Sequence, residues 1–369
     1  MSVSTDSLFQ PFSLGPLELP NRVVMAPMTR TYSPGNVPND LNVEYYRKRA
    51  AGGVGLIITE GTCVGHAAAN GYPNVPFFYG EKPLAGWKKV VDAVHAEGGK
   101  IFPQLWHVGS VRRAGTEPDP DVPGHGPSGL VMPGKKRCHE MTEDDIQDVI
   151  KAFAQAAKDA MDIGCDGVEI HGAHGYLIDQ FFWEGLNERS DHWGGSIEKR
   201  ANFAVEIIKA VRAATAPDFP ICLRFSQWKQ QDYSIKLANN PEELERFLKP
   251  LSDAGVDIFH CSTRRFWEPE FEGSDLNLAG WTKKITGKPV ITVGSVGLDR
   301  AFSEPGQVEF LEGKIAKLDT LIERLEKDEF DLVAVGRALI ANPDWAKQVR
   351  ESAFDDLAAY VPEMLKELV

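Results

Sequence analysis

The sequence of 369 residues contains few cysteines, and none of them forms a CxxC motif. The five are scattered along the chain, at Cys63, Cys138, Cys165, Cys222 and Cys261. An odd number without paired spacing disfavours both a disulfide framework and a cysteine-ligated zinc or iron–sulfur cluster. We therefore expect a cytoplasmic protein, because that compartment keeps thiols reduced.

Long apolar runs and an excess of positive charge are also absent. No stretch approaches the ~20 apolar residues that a membrane helix needs, and residues 1–12 lack the pattern of a signal peptide. The net charge of −13 disfavours nucleic acid or an acidic membrane surface as a partner. We expect a small-molecule ligand instead, with any anionic group bound by local Arg, Lys or backbone N–H groups.

Eight short runs of apolar residues, most of them rich in Val and Ile, recur along the chain. Runs of this length and composition are typical of strands buried on both faces of a parallel sheet. We number them predicted strands 1 to 8: residues 23–26, 56–59, 101–105, 168–171, 221–225, 258–261, 290–293 and 332–335.

Helical patterns lie between most of these runs. Thr142 is a good N-cap for a helix with an apolar stripe from Ile146 to Met161, and Asn240-Pro241 and Asn342-Pro343 each predict a helix start. Strands that alternate with helices favour a single α/β domain over residues 1–369, a (β/α)8 TIM barrel. An open doubly wound sheet is the alternative, which the absence of GxGxxG after the first strand disfavours.

Three segments fall outside the repeat. Residues 12–21 predict an N-terminal β-hairpin that covers the bottom of the barrel. Residues 109–139, rich in Gly, Pro, Lys and Arg, predict a long loop after strand 3. Residues 297–329 predict a second long loop, after strand 7, with a charged amphipathic helix over 314–327.

Barrel enzymes carry their chemistry at the carboxyl ends of the strands. No lysine follows a predicted strand, so a Schiff-base enzyme would lack its nucleophile. Gly294-Ser295 and Gly336-Arg337 follow strands 7 and 8, where backbone N–H groups and an arginine commonly bind phosphate. Each glycine is also consistent with a simple tight turn.

The densest polar cluster follows strand 4. Alternation directs His171 towards the barrel axis, and the turn after it brings His174 and Tyr176 close. Two imidazoles can polarise a carbonyl oxygen, and a tyrosine can donate a proton. The alternatives are hydrogen-bonded core residues, or a metal-dependent hydrolase site with His107 or His260 as a third ligand; we expect no metal.

Two further polar side chains, Gln104 and Arg224, face the same axis. A buried arginine requires an anion, which is either a ligand or Glu169 on the neighbouring strand.

Eight segments of the sequence match one known family, in order and at barrel spacing. They are NRVVMAPMTR (21–30), EYYRKRA (44–50), ITEGT (58–62), PQLWH (103–107), GVEIHGAHGY (167–176), NERSDHWGGSIEKR (187–200), LRFS (223–226) and VGRALIANPD (335–344). Through them the sequence resembles the Old Yellow Enzyme family of FMN-dependent ene-reductases over nearly its whole length.

The resemblance implies a set of FMN contacts. Thr29 would bind the flavin O4, Gln104 the pyrimidine edge, and Arg224 the N1 and O2 region. The ring would be lined by Ala26, Pro27, Met28 and Gly61, and the phosphate would be held by Gly294, Ser295, Gly336 and Arg337. His171 and His174 would bind the substrate oxygen, Tyr176 would supply the proton, and Thr29 and Trp106 would line the substrate pocket.

The implied reaction uses NADPH or NADH to reduce FMN, which then passes hydride to an alkene activated by a carbonyl or nitro group. The alternatives are the metal-dependent hydrolase and a barrel that stores FMN without turnover. Residues 297–329 depart from the family pattern, as do the VGSVG loop at 293–297 and the short segment after strand 8. The natural substrate, the preferred nicotinamide and the oligomeric state, monomer or homo-oligomer, stay open.

Overall fold

A computed structural model describes residues 4–303 and 310–369. Its strands, in chain order, are β1 Phe12–Leu14, β2 Leu17–Leu19, β3 Val23–Met25, β4 Leu56–Cys63, β5 Lys100–Trp106, β6 His125–Gly126, β7 Leu130–Met132, β8 Lys135–Lys136, β9 His139–Glu140, β10 Val168–His174, β11 Ile221–Lys229, β12 Ile258–Ser262, β13 Val290–Val293 and β14 Leu332–Val335. The eight strands β3, β4, β5 and β10 to β14 pair in parallel and close into a barrel. The predicted TIM barrel is confirmed, with each predicted strand in its place.

The helices are α1 Asp40–Ala51, α2 Glu81–Ala96, α3 Glu143–Asp162, α4 Leu177–Phe182, α5 Ile197–Arg200, α6 Asn202–Ala214, α7 Pro241–Ala254, α8 Leu278–Thr286, α9 Asp319–Glu326, α10 Arg337–Ala341 and α11 Trp345–Arg350. Short 3-10 turns complete the chain at Asp6–Phe9, Pro34–Asn36, Gly109–Val111, Phe354–Asp356 and Pro362–Lys366. None of the helices in the described ranges is long and apolar enough to span a membrane.

Alternation along β10 sorts its side chains between two cores. Val168 and Ile170 point outwards and pack in the large cluster between barrel and helices. Glu169 and His171 point inwards, as predicted. A register shift between Gly172 and His174 then interrupts the pairing with β11, so the expected turn after strand 4 is a bulged continuation of the strand.

The hairpin β1–β2 closes the amino-terminal end of the barrel. Its strands pair antiparallel, and Leu17 and Leu19 pack against Val24, Leu56 and Phe102 inside the barrel. The N-terminal hairpin is therefore confirmed, and the opposite end of the barrel is left open for a ligand.

Two predicted helix starts are confirmed. Thr142 caps α3 through a reciprocal box with Asp145, and Asn240 caps α7 with proline at its first position. Both helices begin where predicted because a short polar side chain at the N-cap accepts a hydrogen bond from a free N–H group of the first turn.

Two other predicted helix starts are wrong. The start predicted at Asn342-Pro343 is not a helix N-terminus: Asn342 ends α10, and α11 begins at Trp345. The Asn342 amide instead bonds both the N–H and the carbonyl of Ala358. The helix predicted over 314–327 begins only at Asp319, because Ile315 forms a β-bridge with Leu298.

The long loops after strands 3 and 7 are both present. The first carries the short strands β6 to β9, with β6 paired to β9 and β7 to β8. The second joins β13 to α9, and its residues 304–309 lie outside the described ranges.

Candidate active site

A cavity of about 540 Å³ opens at the carboxyl ends of the barrel strands, a size typical of small-molecule sites. Almost every site residue expected from the sequence lines it: Ala26, Pro27, Met28, Thr29, Gln104, Trp106, His171, His174, Tyr176, Arg224, Gly294, Ser295, Gly336 and Arg337. Fourteen positions drawn from six strands therefore meet at one place. Gly61 is the exception.

Gly61 lies behind the wall of the cavity. A Cβ atom at this position would come within 2.5 Å of the Trp106 ring, closer than any real packing contact. The glycine is thus required by the close approach of Trp106. A direct contact of Gly61 with a cofactor stays a prediction.

Three rings form the polar end of the cavity. The ring centroid of His171 lies 5.1 Å from that of His174 and 5.1 Å from that of Tyr176, both nearly perpendicular. Trp106 stacks on His171 at 6.0 Å and meets Tyr176 edge-on at 4.9 Å. His174 adopts a left-handed φ of 66° at the β10 bulge, which turns its ring towards His171.

The protonation of His171 is set by its backbone neighbour. The N–H of Ala173 donates to Nδ1 of His171 over 3.3 Å, so the single proton of the neutral ring is on Nε2. Burial, assisted by the positive charge of Arg224, lowers the pKa of His171 to about 3. The ring is therefore a neutral donor at physiological pH.

His174 is held on two sides. Its ring stacks on Trp228 with a centroid distance of 4.5 Å, and its Nε2 lies 2.8 Å from Oγ of Ser262. Burial and the nearby Arg224 hold its pKa well below the usual value, so this ring is also neutral. Trp228 and Ser262 thus fix the orientation of His174.

Tyr176 has two polar partners. Gln230 donates to the phenolic oxygen over 2.8 Å, and the hydroxyl of Tyr72 lies 3.2 Å away. Burial, together with Tyr72, raises the pKa of Tyr176 well above its usual value. The phenol therefore keeps its proton at neutral pH, while Gln230 is placed to stabilise the oxygen if that proton leaves.

A buried ion pair supports the segment that carries His174 and Tyr176. Asp179 accepts from the N–H of Gly175 over 2.6 Å and from the ammonium of Lys229, with both acidic and basic side chains fully buried. The prediction that no lysine stands at a strand end is wrong, because β11 extends four residues beyond the expected end, to Lys229. Lys229 does not line the cavity, and its ammonium group is paired with Asp179.

Arg224 presents an unpartnered donor to the cavity. The predicted alternative, an ion pair with Glu169, is not formed: Glu169 instead accepts from Gln104 over 2.7 Å and contacts Nδ1 of His260 at 2.6 Å. Within residues 4–303 and 310–369, Arg224 reaches only Oγ of Ser262, at 3.4 Å, and its buried Nε has no partner. A buried guanidinium with an orphan N–H fits an electron-rich ligand edge.

The ends of β13 and β14 form the opposite end of the cavity. Arg337 donates to the carbonyls of Leu311 and Arg300, and in the described part of the chain no carboxylate lies within ion-pair distance of it. Gly294 has φ 146°, and a Cβ there would meet Thr263 at 2.5 Å. The hydroxyl of Ser295 donates to the carbonyl of Arg264 over 2.9 Å, which leaves its backbone rather than its side chain for a ligand.

The segment after strand 8 supplies a further wall of the cavity. Tyr360 and Leu365 line it, and Arg30 fixes the segment by donating to the carbonyls of Met364 and Glu367 over 3.3 and 2.6 Å. This is the wall that the sequence left unassigned.

The hydrolase site with His107 as its third histidine is not assembled. The Nε2 of His107 contacts Nδ1 of His66 at 3.0 Å. The Nδ1 of His107 accepts from the N–H of Gly109 at 3.1 Å. Both ring nitrogens of His107 are therefore used outside the cavity, so His107 cannot join His171 and His174 on one metal ion.

Comparison with known proteins decides the family. The model of the NADH:flavin oxidoreductase / NADH oxidase family matches residues 7–305. The chain belongs to this family. Among its relatives, a 12-oxophytodienoate reductase of Oryza sativa subsp. japonica is 43% identical over 91% of this chain and 84% of the relative. A flavin oxidoreductase, hxnT, of Emericella nidulans is 36% identical over 94% and 91%.

Solved structures place the chain within the Old Yellow Enzyme branch of the NADH:flavin oxidoreductases. Morphinone reductase in complex with tetrahydroNAD is 31% identical with a TM-score of 0.80, covering 97% of this chain and 94% of that one. The Old Yellow Enzyme homologue from Zymomonas mobilis is 26% identical with a TM-score of 0.80, covering 97% and 96%. The resemblance in the sequence is confirmed, and the chain is an oxidoreductase of this type.

FMN is the cofactor of this family, with NADH or NADPH as reductant. The residues present fit the cofactor at both of its polar ends. Arg224 offers its orphan N–H at one end of the cavity, and Arg337, without a carboxylate partner among the described residues, faces the other. Between these two arginines, Met28 and Ala26 form an apolar part of the cavity wall. Neither of these two side chains crowds the backbone of Gly336.

Proposed function

We propose that this protein is an NAD(P)H-dependent ene-reductase that reduces the C=C bond of alkenes conjugated to a carbonyl or nitro group. The observation that carries the proposal is the convergence of two neutral imidazoles and one protonated phenol on a single cavity. The relatives named 12-oxophytodienoate reductase and morphinone reductase support a reductase of this class.

When bound, FMN supplies the hydride, which it has received from NADPH or NADH. The chain supplies the groups that hold it. Arg224 and Gln104 would hold the pyrimidine edge and Thr29 the flavin O4, as the resemblance implies, and all three line the cavity. The positive charge of Arg224 favours added electron density on the ring. Arg337, with the backbones at Gly294, Ser295 and Gly336, holds the phosphate.

The two histidines bind the electron-withdrawing oxygen of the substrate. His171 donates from Nε2, because Ala173 occupies its Nδ1. The hydroxyl oxygen of Ser262 accepts from Arg224, so the hydroxyl proton of Ser262 is available to Nε2 of His174. The proton of the neutral His174 ring is then on Nδ1. Two donors aimed at one oxygen withdraw electrons from the alkene and activate its β-carbon.

Tyr176 donates the proton that completes the reduction at the α-carbon. The hydrogen bond from Gln230 stabilises the phenolate that remains, and Tyr72 is placed to share the returning proton. Trp106 packs against both His171 and Tyr176, and it thereby fixes the distance between the polarising and the protonating groups.

The function is tested with purified protein that carries FMN. We expect NADPH or NADH to bleach the flavin absorbance anaerobically, and 2-cyclohexen-1-one to restore it with formation of cyclohexanone. A panel of nitroalkenes then defines the substrate class. If the flavin is bleached but no enone or nitroalkene restores it, the FMN-storing alternative replaces this proposal.

A further inference from the structure

Four of the nine histidines gather outside the cavity, in the long loop after β5 and beside it. His125 lies on β6 and His139 on β9, and these two strands pair in parallel with the two histidines directly opposite each other. Residues paired in this way project to the same face. The ring centroids are accordingly 4.6 Å apart.

A carboxylate completes the group. Asp145, in the first turn of α3, has Oδ2 at 2.7 Å from Nε2 of His139. One ring nitrogen of His125, one of His139 and one carboxylate oxygen of Asp145 all lie within 4.8 Å of one another. Small side-chain rotations would bring three such atoms to the ~2.0–2.2 Å distances of a metal ion.

An independent observation indicates that a ligand is missing from this group. His125 is 9% exposed, and among the residues that the structure describes its buried Nδ1 has no hydrogen-bond partner. A buried imidazole nitrogen without a partner is unfavourable. A metal ion bound between His125 and His139 would remove that cost.

His66 is adjacent but unsuited to be a ligand. Its ring meets that of His125 edge-on at 5.2 Å. Its Nδ1, however, accepts from the N–H of Ala68 over 3.3 Å and lies 3.0 Å from Nε2 of His107. The neutral ring then carries its proton on Nε2, which removes the lone pair that a metal would need.

We propose that His125, His139 and Asp145 form a binding site for a divalent transition metal of the zinc type, distinct from the flavin cavity. Two imidazoles and one carboxylate suit zinc and its neighbours, whereas Mg²⁺ and Ca²⁺ prefer oxygen ligands. The fourth position is open to water. None of the three residues lines the cavity, so the metal acts as a clip between the loop and α3.

The metal site is connected to the cavity through the long loop after β5. Arg112 at the start of the loop donates to the carbonyl of Asn70, and Asn70 donates back to the carbonyl of Glu117 over 2.9 Å. Tyr72 follows two residues later and meets Tyr176. The metal would therefore stabilise the loop that supports Tyr72, without touching the reacting groups.

The test uses the full, untagged chain with its FMN, stripped of metal by a chelator. Zn²⁺ alone is titrated in competition with a chromophoric indicator. We expect one equivalent per chain in the wild type. Because loss of a residue that merely supports a ligand costs 10- to 100-fold in affinity, we expect His125→Gln and His139→Gln to weaken binding by at least about 100-fold.

His95→Gln is the matched control, because Nε2 of His95 contacts Asp166 at the same distance of 2.7 Å without a second histidine. It should bind Zn²⁺ like the wild type. Flavin absorbance and circular dichroism establish that each variant is folded. Binding that is substoichiometric, or equally weak in all proteins, would identify adventitious metal and overturn the proposal.

Co²⁺ provides a second measurement that does not depend on stability. In the wild type, Co²⁺ should show the visible d–d absorption of a low-coordinate nitrogen and oxygen site, and His125→Gln should lose it. A spectrum of hydrated Co²⁺ in the wild type would contradict the site.

Discussion

Replacing Tyr176 by phenylalanine removes one hydroxyl group and keeps the ring that packs against Trp106 and His171. The cavity should keep its shape, and FMN should stay bound. The lost group donates the proton in our proposal, and a positioned acid contributes about 10²–10⁴-fold to a rate. We therefore expect the alkene half-reaction to slow by about that factor.

The structure also predicts a cost in stability. The hydroxyl accepts from Gln230 over 2.8 Å and meets the Tyr72 hydroxyl at 3.2 Å. Gln230 is exposed, so water can replace the lost acceptor, and the free energy of unfolding should fall only by the net value of a hydrogen bond, about 0.5–1.5 kcal/mol. Chemical denaturation measures this change.

Anaerobic stopped-flow absorbance separates the two half-reactions. Flavin reduction by NAD(P)H should keep its rate in Tyr176→Phe, because no proton from Tyr176 is needed there, while reoxidation by 2-cyclohexen-1-one slows. Tyr72→Phe is the matched control, since it removes the neighbouring hydroxyl and should slow reoxidation by less than about tenfold. Equal losses in both half-reactions of Tyr176→Phe would refute the acid role.

Three further predictions concern the cofactor, the pH dependence and the packing. Arg337→Ala should release FMN on dialysis, because it removes the charged group at the phosphate end; the same loss from Arg246→Ala, a surface arginine, would show that the effect is unspecific. Since the folded-state pKa of His171 is about 3 and the reference value is 6.5, the unfolded chain binds a proton between these values that the folded chain does not. The free energy of unfolding should thus fall as pH decreases below about 6.5, by up to about 1.4 kcal/mol per pH unit for each such histidine. Urea unfolding at pH 5 and 7 should show a smaller decrease for His171→Asn than for the wild type. An identical pH dependence in the two proteins would exclude this assignment. Gly61→Ala should lower the free energy of unfolding by about 1–3 kcal/mol through its clash with Trp106, and an unchanged melting temperature would contradict the packing described.

Much of the site could be predicted because strands obey a simple rule. Alternation within β10 places Glu169 and His171 on the barrel axis once Val168 and Ile170 are assigned to the outer core. Short apolar runs mark where each strand lies, and the residues that follow them meet at one end of the barrel.

The site residues that the sequence analysis missed lie where the strand pattern no longer predicts the structure. Apolar runs indicate the buried part of a strand, but β11 continues through polar residues to Lys229, which brings Trp228 beside His174 and places Gln230, just after it, on Tyr176. The alternation of RFSQWK beyond Arg224 was the available signal. Tyr72 gave no local signal, because its partner lies 104 residues away.

The errors in the helices have the same origin. Residues 314–318 have helical composition, yet a β-bridge of Ile315 to Leu298 holds them extended. Asn342 has the side chain of an N-cap, but it bonds Ala358, which lies 16 residues further along the chain, beyond α11. In both cases a tertiary contact outweighs a local preference.

Binding of a phenol tests the central claim most directly, because it reports the two histidines and the flavin together. A phenolate held by His171 and His174 above oxidised FMN should give a long-wavelength charge-transfer band, which titration with 4-chlorophenol measures. We predict the band in the wild type and in His107→Ala, whose ring lies outside the cavity, and its loss in the double variant His171→Ala/His174→Ala with FMN retained. A band of unchanged intensity and affinity in the double variant would contradict the account.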